Sequence, residues 1–362
     1  MTDAGRAAEG DSRWVDVDGP VHYLDYGGPA DGPLVVCVHG LGASHTSWWS
    51  LAPRLAGRAR VLALDLAGFG RTPAGGRGTD VAANTRLVAG FLAALSGGAP
   101  ALLVGNSMGG MISVLQAAAD PGSVAGLVLL SPALPIPRLR PPDASILGMF
   151  TGMVLPKVGS VVLARRRIRY TVEELVEQAL RRTTVDPGRI SPDAVAAMVA
   201  LSTERAAAPG AGLASDAALV AATRSVVRQL ARPGPLAAAV SSVIAPTLLV
   251  HGRRDRLVPV AAARHAAARR PDWQVEILDD CGHLPQLEAV DRTARLIEAW
   301  LDGPGALGGV VGGGTGGVVG GGTGGVVGGG TAGVVGGGTA GETAEDRESG
   351  GRVGREVVGP AG

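Results

Sequence analysis

Short apolar runs recur along the chain and stop at glycine or at a polar turn. They are VHYLDYG near residue 21, LVVCVHG near 34, RVLALDLAG near 60, ALLVGNS near 101, GLVLLSPA near 126, TLLVHG near 247 and WQVEILD near 273. Each has the length and composition of a β-strand. From LVVCVHG onward the runs read as apolar throughout, the pattern of strands covered on both faces, as in a parallel sheet between helices. Helical patterns lie between several of them: TDVAANTRLVAGFLAAL from 79, the stretch after Ser107, PVAAARHAAARR from 259 and VDRTARLIEAWL from 290. This alternation predicts an α/β fold with right-handed crossovers.

Two regions break the rhythm. Residues 135–245 separate GLVLLSPA from TLLVHG and carry helical patterns such as TVEELVEQALRR and SPDAVAAMVALSTE. A crossover needs only a dozen or so residues, so this segment predicts a helical lid inserted over one end of the sheet. After Trp300 the pair VV recurs at 310, 318, 326 and 334 within GGVVGGGT-type repeats. Such an array cannot bury enough surface to offset its ordering entropy, so 303–362 is expected to be a disordered tail. Residues 1–13 are expected to be flexible, leaving 14–134 and 246–302 as the core.

Composition narrows the class. The chain has 362 residues, 46% of them hydrophobic, with a net charge of +1. That balance gives no electrostatic case for nucleic acid. The two cysteines, Cys37 and Cys281, form no C-x-x-C or Cys/His cluster and read as core thiols in a reducing compartment. The first residues, MTDAGRAAEGDSRW, carry acids and no apolar run, so no signal peptide is expected. The apolar window 144–164 contains Pro156, Lys157 and three glycines, so it is not read as membrane-spanning. A cytoplasmic protein without an integral membrane segment is expected.

Chemistry concentrates where apolar runs end. ALLVGNSMGG places Ser107 between Gly105 and Gly109 at a strand-to-helix turn. A reversal that sharp holds the serine in a strained conformation with its oxygen exposed, and larger side chains two residues away would collide. The helix that follows aims its amide end at the site, making the Met108 N–H a candidate oxyanion donor, and Gly110 lets that helix pack closely. A serine hydroxyl needs an adjacent base. Of six histidines, His283 in DDCGHLPQLE follows the last strand and can reach a serine at the same sheet edge. Asp255, in HGRRDRLVP, can fix the imidazole tautomer, with Asp280 as a fallback. The neighbouring Arg253, Arg254 and Arg256 read as solvated charges. HGLG at 39–42 can turn an amide inward, and Leu41 is the candidate second oxyanion donor. Trp48 and Trp49 are expected to pack the wall near the site.

Taken together, HGLG at 39–42, DLAGFGRT at 65–72, GNSMGG at 105–110, HGRRDRLVP at 251–259 and CGHLPQLE at 281–288 resemble the α/β-hydrolase superfamily in its lidded branch, over about residues 14–302. The resemblance implies an eight-stranded, mostly parallel sheet, a helical lid inserted after the sixth strand, no cofactor and no metal. It implies a triad of Ser107, Asp255 and His283, with the Leu41 and Met108 amides as oxyanion hole. Relatives with dehalogenase or epoxide hydrolase activity carry aspartate at the elbow, which Ser107 argues against.

GNSMGG with HGLG resembles monoacylglycerol-lipase-like esterases, so the expected reaction is hydrolysis of a carboxylic ester of an apolar or acyl substrate. The elbow and the CGH loop also resemble hydrolases of carbon–carbon bonds in ring-cleavage products. Those usually have a glycine- and serine-rich turn at HGLG and tryptophan at Leu284. Some proteins of this fold keep a triad yet serve as ligand receptors. SILGMFTGMVL at 145–155 suits an apolar substrate or a lid core, and RRRIR at 165–169 reads as an exposed helix face.

Overall fold

Residues along a strand point alternately to opposite faces, so a strand covered on both sides must be apolar at every position. The interior of the sheet is built this way. In β3 (Leu34–Val38), Val36 and Val38 join one core while Val35 and Cys37 join the other. In β5 (Ala101–Asn106), Leu103 faces the first core, and Leu102 and Val104 face the second. The computed structural model describes residues 10–136, 158–208 and 211–303. All of them belong to one unit of the chain, residues 1–314.

Eight strands form one sheet: β1 (Asp11–Asp16), β2 (Pro20–Asp25), β3, β4 (Arg60–Leu64), β5, β6 (Val124–Leu130), β7 (Thr247–Gly252) and β8 (Gln274–Leu278), in the order β1-β2-β4-β3-β5-β6-β7-β8. β1 and β2 run antiparallel to their neighbours, and the remaining pairs are parallel. The helices α1 (Ala52–Leu55), α2 (Val81–Leu95) and α3 (Met108–Ala119) lie in the first half of the chain. Helices α2 and α3 supply Leu87, Phe91, Met111 and Ile112 to the first core. Leu55 of α1 covers the second core.

The strand β1 begins inside the segment 1–13 that the sequence reads as flexible. Its residues DSRWVD are almost all exposed, so no apolar run announces it. It is held by backbone pairing with β2, from Asp11 opposite Asp25 to Asp16 opposite Pro20. At the other edge β8 is half-buried rather than apolar throughout.

Between β6 and β7 the described residues form α4 (Val158–Arg169), α5 (Val172–Thr183), α6 (Pro192–Ala207), α7 (Ala211–Ala231) and α8 (Gly234–Ser242). Start signals in the sequence explain two of them. Thr171 and Glu174 form a reciprocal capping box at α5, and the Ser191 hydroxyl caps α6 ahead of a proline at its first position. The chain then returns through β7, α9 (Ala261–Arg269), β8, α10 (Pro285–Glu288) and α11 (Val290–Leu301). Ala262 and Ala266 of α9 enter the first core, and Ala294, Ile297 and Trp300 of α11 enter the second. Helix α4 carries RRRIR, and Ile168 on it is 88% exposed, as a surface helix face requires. The segment 145–155 and the VV repeat lie outside the described residues. Among the described residues no helix is long and apolar enough to cross a membrane.

Candidate active site

Ser107 links β5 to α3 with φ 55° and ψ −116°. A non-glycine residue held there costs roughly 1–3 kcal/mol, which the surrounding structure must over-determine. It does so with backbone bonds: the Ser107 N–H donates to the Leu130 carbonyl at 3.1 Å, and the Ser107 carbonyl accepts from Met111 and Ala133 at 3.1 and 3.0 Å. The flanking glycines are sterically required. A Cβ on Gly105 would lie 2.6 Å from the Gly109 carbonyl oxygen, and one on Gly109 would lie 2.0 Å from that of Val38. One on Gly110 would meet Pro132 at 2.8 Å, so all three permit the close approach of strand and helix.

His283 lies in the loop between β8 and α10, and its Nδ1 is 2.7 Å from Asp255 Oδ2. The other carboxylate oxygen, Oδ1, accepts the N–H groups of Leu257 and Val258 at 2.8 and 2.9 Å. Burial alone would raise the Asp255 pKa, but the charge and hydrogen bond of His283, the nearby His251 and the Val258 N–H outweigh it and hold the carboxyl below its ordinary range. An ionised carboxylate only accepts, so His283 carries its proton on Nδ1 and keeps Nε2 as the basic nitrogen when neutral. Asp280 does not take this role. It is largely exposed and pairs with Arg189 at 3.1 Å, while Asp279 pairs with Arg253 at 2.5 Å.

Two contacts fix the histidine loop relative to the elbow. Asn106 Nδ2 donates to the His283 carbonyl at 3.1 Å and to the Leu130 carbonyl at 2.9 Å, so the residue before Ser107 is tied to the backbone of His283. The His283 N–H donates to the Thr183 carbonyl at the end of α5, at 2.6 Å. Glu288 strengthens this seam. Its buried carboxylate accepts from Gly282 at 2.6 Å and from Val185 and Asp186 at 2.7 and 2.9 Å. One side chain thus joins the histidine loop to the segment after α5. The sequence shows Glu288 inside CGHLPQLE, but its partners Val185 and Asp186, about a hundred positions away, leave no local trace.

The HGLG loop passes against the serine. A Cβ on Gly40 would lie 3.2 Å from Ser107 Cβ and 3.1 Å from Asn106 Oδ1. His39 sets the loop's course. Its Nδ1–H donates to the Gly40 carbonyl at 2.8 Å, and its Nε2 accepts the Leu66 N–H at 3.0 Å. Burial lowers its pKa to about 4, so the imidazole is neutral and its tautomer is fixed by these two partners. Among the described residues the Leu41 N–H has no protein acceptor. Met108 opens α3, in the first turn, whose N–H groups lack intrahelical partners. Leu219 of α7 lies over this loop, with its Cδ1 3.3 Å from where a Gly42 Cβ would stand.

The two tryptophans pack in different places. Trp48 is fully buried in the second core with Leu51 and Ala52, so its bulk supports the sheet. Trp49 packs against the small cluster of Leu180, Ile190 and Leu287.

His251, on β7, is also close. Its Nε2–H donates to the Val258 carbonyl at 2.9 Å and lies 3.4 Å from Asp255 Oδ2. Burial lowers its pKa, which favours the neutral ring. Among the described residues one group, His22, His45 and Asp65, brings three potential metal-ligating atoms within 4.8 Å of one another. It involves none of the residues around Ser107.

Comparisons with known proteins identify the family. A family model described as alpha/beta hydrolase fold matches residues 33–290. The chain is 32% identical over 275 residues to a pimeloyl-[acyl-carrier protein] methyl ester esterase of Aromatoleum aromaticum, covering 74% of this chain and 97% of that one. It is 28% identical over 302 residues to a 2-hydroxy-6-oxononadienedioate/2-hydroxy-6-oxononatrienedioate hydrolase of Cupriavidus pinatubonensis, covering 81% and 96%. Among solved structures it is similar to a bacterial membrane phospholipase A, with a TM-score of 0.62 and 30% identity over 82% of this chain and 87% of the other. The chain therefore belongs to the α/β-hydrolase family, with the strained Ser107 after β5, Asp255 after β7 and His283 after β8, each beyond the end of a strand.

Proposed function

We propose that the protein is a serine hydrolase that cleaves a carboxylic ester of an apolar or acyl substrate through Ser107, His283 and Asp255. The observation that carries this reading is the 2.7 Å Asp255–His283 pair, tied through Asn106 to a serine in a strained strand-to-helix turn. In the reaction, His283 Nε2 takes the Ser107 proton as Oγ attacks the acyl carbon. The amides of Leu41 and Met108 receive the oxyanion. The C–O bond breaks and the alcohol leaves with the proton from His283. Water, deprotonated by the same imidazole, then releases the acid and restores Ser107. Asp255 stays ionised throughout and stabilises the imidazolium.

The helices between β6 and β7 serve in this reading as a lid, consistent with Leu219 over the glycine loop. The two buried thiols, Cys37 and Cys281, suit a reducing, cytoplasmic setting. The esterase relative supports the ester substrate, and the relative acting on dienedioates gives a second reading, hydrolysis of a carbon–carbon bond next to a carbonyl by the same residues. Purified protein and Ser107→Ala are to be tested on p-nitrophenyl esters from acetyl to palmitoyl. Turnover confined to the parent, with a chain-length optimum, supports the esterase. Inactivity on every ester together with cleavage of a vinylogous diketone would favour the second reading.

A further inference from the structure

A second Ser–His–Asp chain lies outside this site. Ser12 Oγ on β1 is 2.9 Å from His22 Nε2, and His22 Nδ1 is 2.8 Å from Asp65 Oδ2. His22 and Asp65 are fully buried, whereas Ser12 is exposed. The pleat explains the placement. Trp14 lies opposite His22 in the β1–β2 pair, and Ser12 sits two residues along on the same face. The Trp14 ring meets the His22 ring edge-on at 5.1 Å, so Trp14 and Ser12 together cover the imidazole.

Asp65 is held as an acceptor. Besides His22 it receives the His45 N–H on Oδ1 at 2.7 Å, and His45 Nδ1 and the Arg71 N–H on Oδ2 at 2.7 and 2.9 Å. Hydrogen bonds from His22 and His45 outweigh its burial and keep it ionised. Each Nδ1 facing it therefore bears a proton, and neutral His22 turns an unprotonated Nε2 toward the Ser12 hydroxyl. A metal ion fits this arrangement poorly. It would require both imidazoles to lose their Nδ1 protons and would compete with the Arg71 amide for Oδ2. Three sheet neighbours, β2, β4 and β3, separate β1 from β5, which puts Ser12 on the order of 19 Å from the elbow at the usual strand spacing.

We infer that Ser12 is an activated surface serine that accepts an acyl group from activated carboxylic esters, with His22 as its base and Asp65 as the group that orients His22. Ser12 Oγ attacks the carbonyl carbon of an aryl ester and its proton passes to His22 Nε2. The bond from carbon to the aryl oxygen breaks, and the departing aryl oxide takes the proton back from His22. Ser12 sits in an ordinary extended strand, without the glycine loop and helix start that flank Ser107. The step is therefore a single, persistent acylation rather than turnover.

The inference does not depend on the proposed role of Ser107, so the test uses Ser107→Ala. That protein is incubated with p-nitrophenyl acetate and digested with trypsin, and acetylation is followed on the peptide 7–13, which carries Ser12. Positioned bases contribute about 10²–10⁴-fold, so Ser12 should acetylate at least about 100-fold faster than the exposed Ser241 and Ser242. Ser12→Ala in the same background should abolish the fast p-nitrophenolate release. His22→Gln, if it melts with the parent, should bring Ser12 down to the rate of the comparison serines. Labelling of Ser12 no faster than Ser241, or fast release that survives Ser12→Ala, would overturn the inference. No difference in ester turnover between the parent and Ser107→Ala, with Ser12 labelling intact, would count against the proposed function alone.

Discussion

Removing the Glu288 carboxylate should reveal how far catalysis depends on the seam between the histidine loop and the helical insertion. The side chain is 5% exposed and accepts three main-chain N–H groups at 2.6, 2.7 and 2.9 Å. Hydrogen bonds to a charged acceptor contribute about 1.5–3 kcal/mol each, and a buried donor left unpaired costs about 1–3 kcal/mol. The three losses are unequal. Gly282 is buried, whereas Val185 and Asp186 are half-buried and exposed, so water can replace two of the bonds. Glu288→Ala should therefore cost about 3–4 kcal/mol, less than the sum of three charged bonds. Glu288→Gln keeps one accepting oxygen but turns an amide NH₂ toward a donor, and should cost about 2 kcal/mol. Urea unfolding reads both values. Because Gly282 adjoins His283, the same variants should lower kcat by about 10–100-fold with KM changed less than about threefold, as expected when a base is misplaced while binding contacts remain. Glu288→Ala within about 1 kcal/mol of the parent and with unchanged kcat would refute the reasoning.

Three further outcomes follow from the geometry. Asp255→Asn should preserve the fold but lower ester turnover by about 10⁴-fold, because an amide can stabilise the wrong His283 tautomer; kcat at saturating ester checks this. Gly109→Ala forces a Cβ to 2.0 Å from the Val38 carbonyl oxygen and should destabilise by more than about 3 kcal/mol, whereas Gly76→Ala, with nothing within 4 Å of its Cβ, should stay within about 0.5 kcal/mol in thermal melts. His39 is depressed from 6.5 to about 4, so the unfolded chain binds its proton first as pH falls. Its contribution is complete above pH 6.5 and is lost progressively down to about pH 4, a change of about 3 kcal/mol. His39→Gln should flatten that part of the stability–pH curve, with buried His251 contributing a residual slope in the same direction.

What the sequence made legible was whatever a short window carries. The apolar runs of β3 to β7 are continuous because both faces of those strands are covered, and the glycines around Ser107 are dictated by collisions within a few residues. The edge strand β1 escaped because an exposed strand needs no apolar run. It is specified by its backbone pairing to β2. Trp48 was misplaced because a large aromatic near a glycine loop is equally suited to a cavity wall and to a core, and only packing against Leu51 decides. Asn106 and Glu288 left no signal of their roles, since a hydrogen bond between positions 106 and 283, or between 288 and 185, depends on the closed sheet.

The two histidine–aspartate pairs show why that distinction matters for function. In both, a buried carboxylate fixes the proton on Nδ1 and leaves Nε2 as the basic nitrogen. Imidazole and carboxylate alone can draw a proton from a hydroxyl, but they do nothing for the negative charge that then develops on the acyl oxygen. In the proposed mechanism that charge has a destination around Ser107, because the strained turn places the serine at the start of α3 and His39 holds the Gly40 peptide beside it. Ser12 sits in a paired strand whose extended backbone offers no such convergence. The loss of one oxyanion donor costs about 10²–10³ in rate, so the two serines should differ by at least that factor towards the same aryl ester even with equally good bases. A measured ratio near unity would mean that the glycine loop and the helix start contribute nothing at Ser107. If both proposed roles hold, the elbow rather than the base is the element that separates turnover at Ser107 from modification at Ser12.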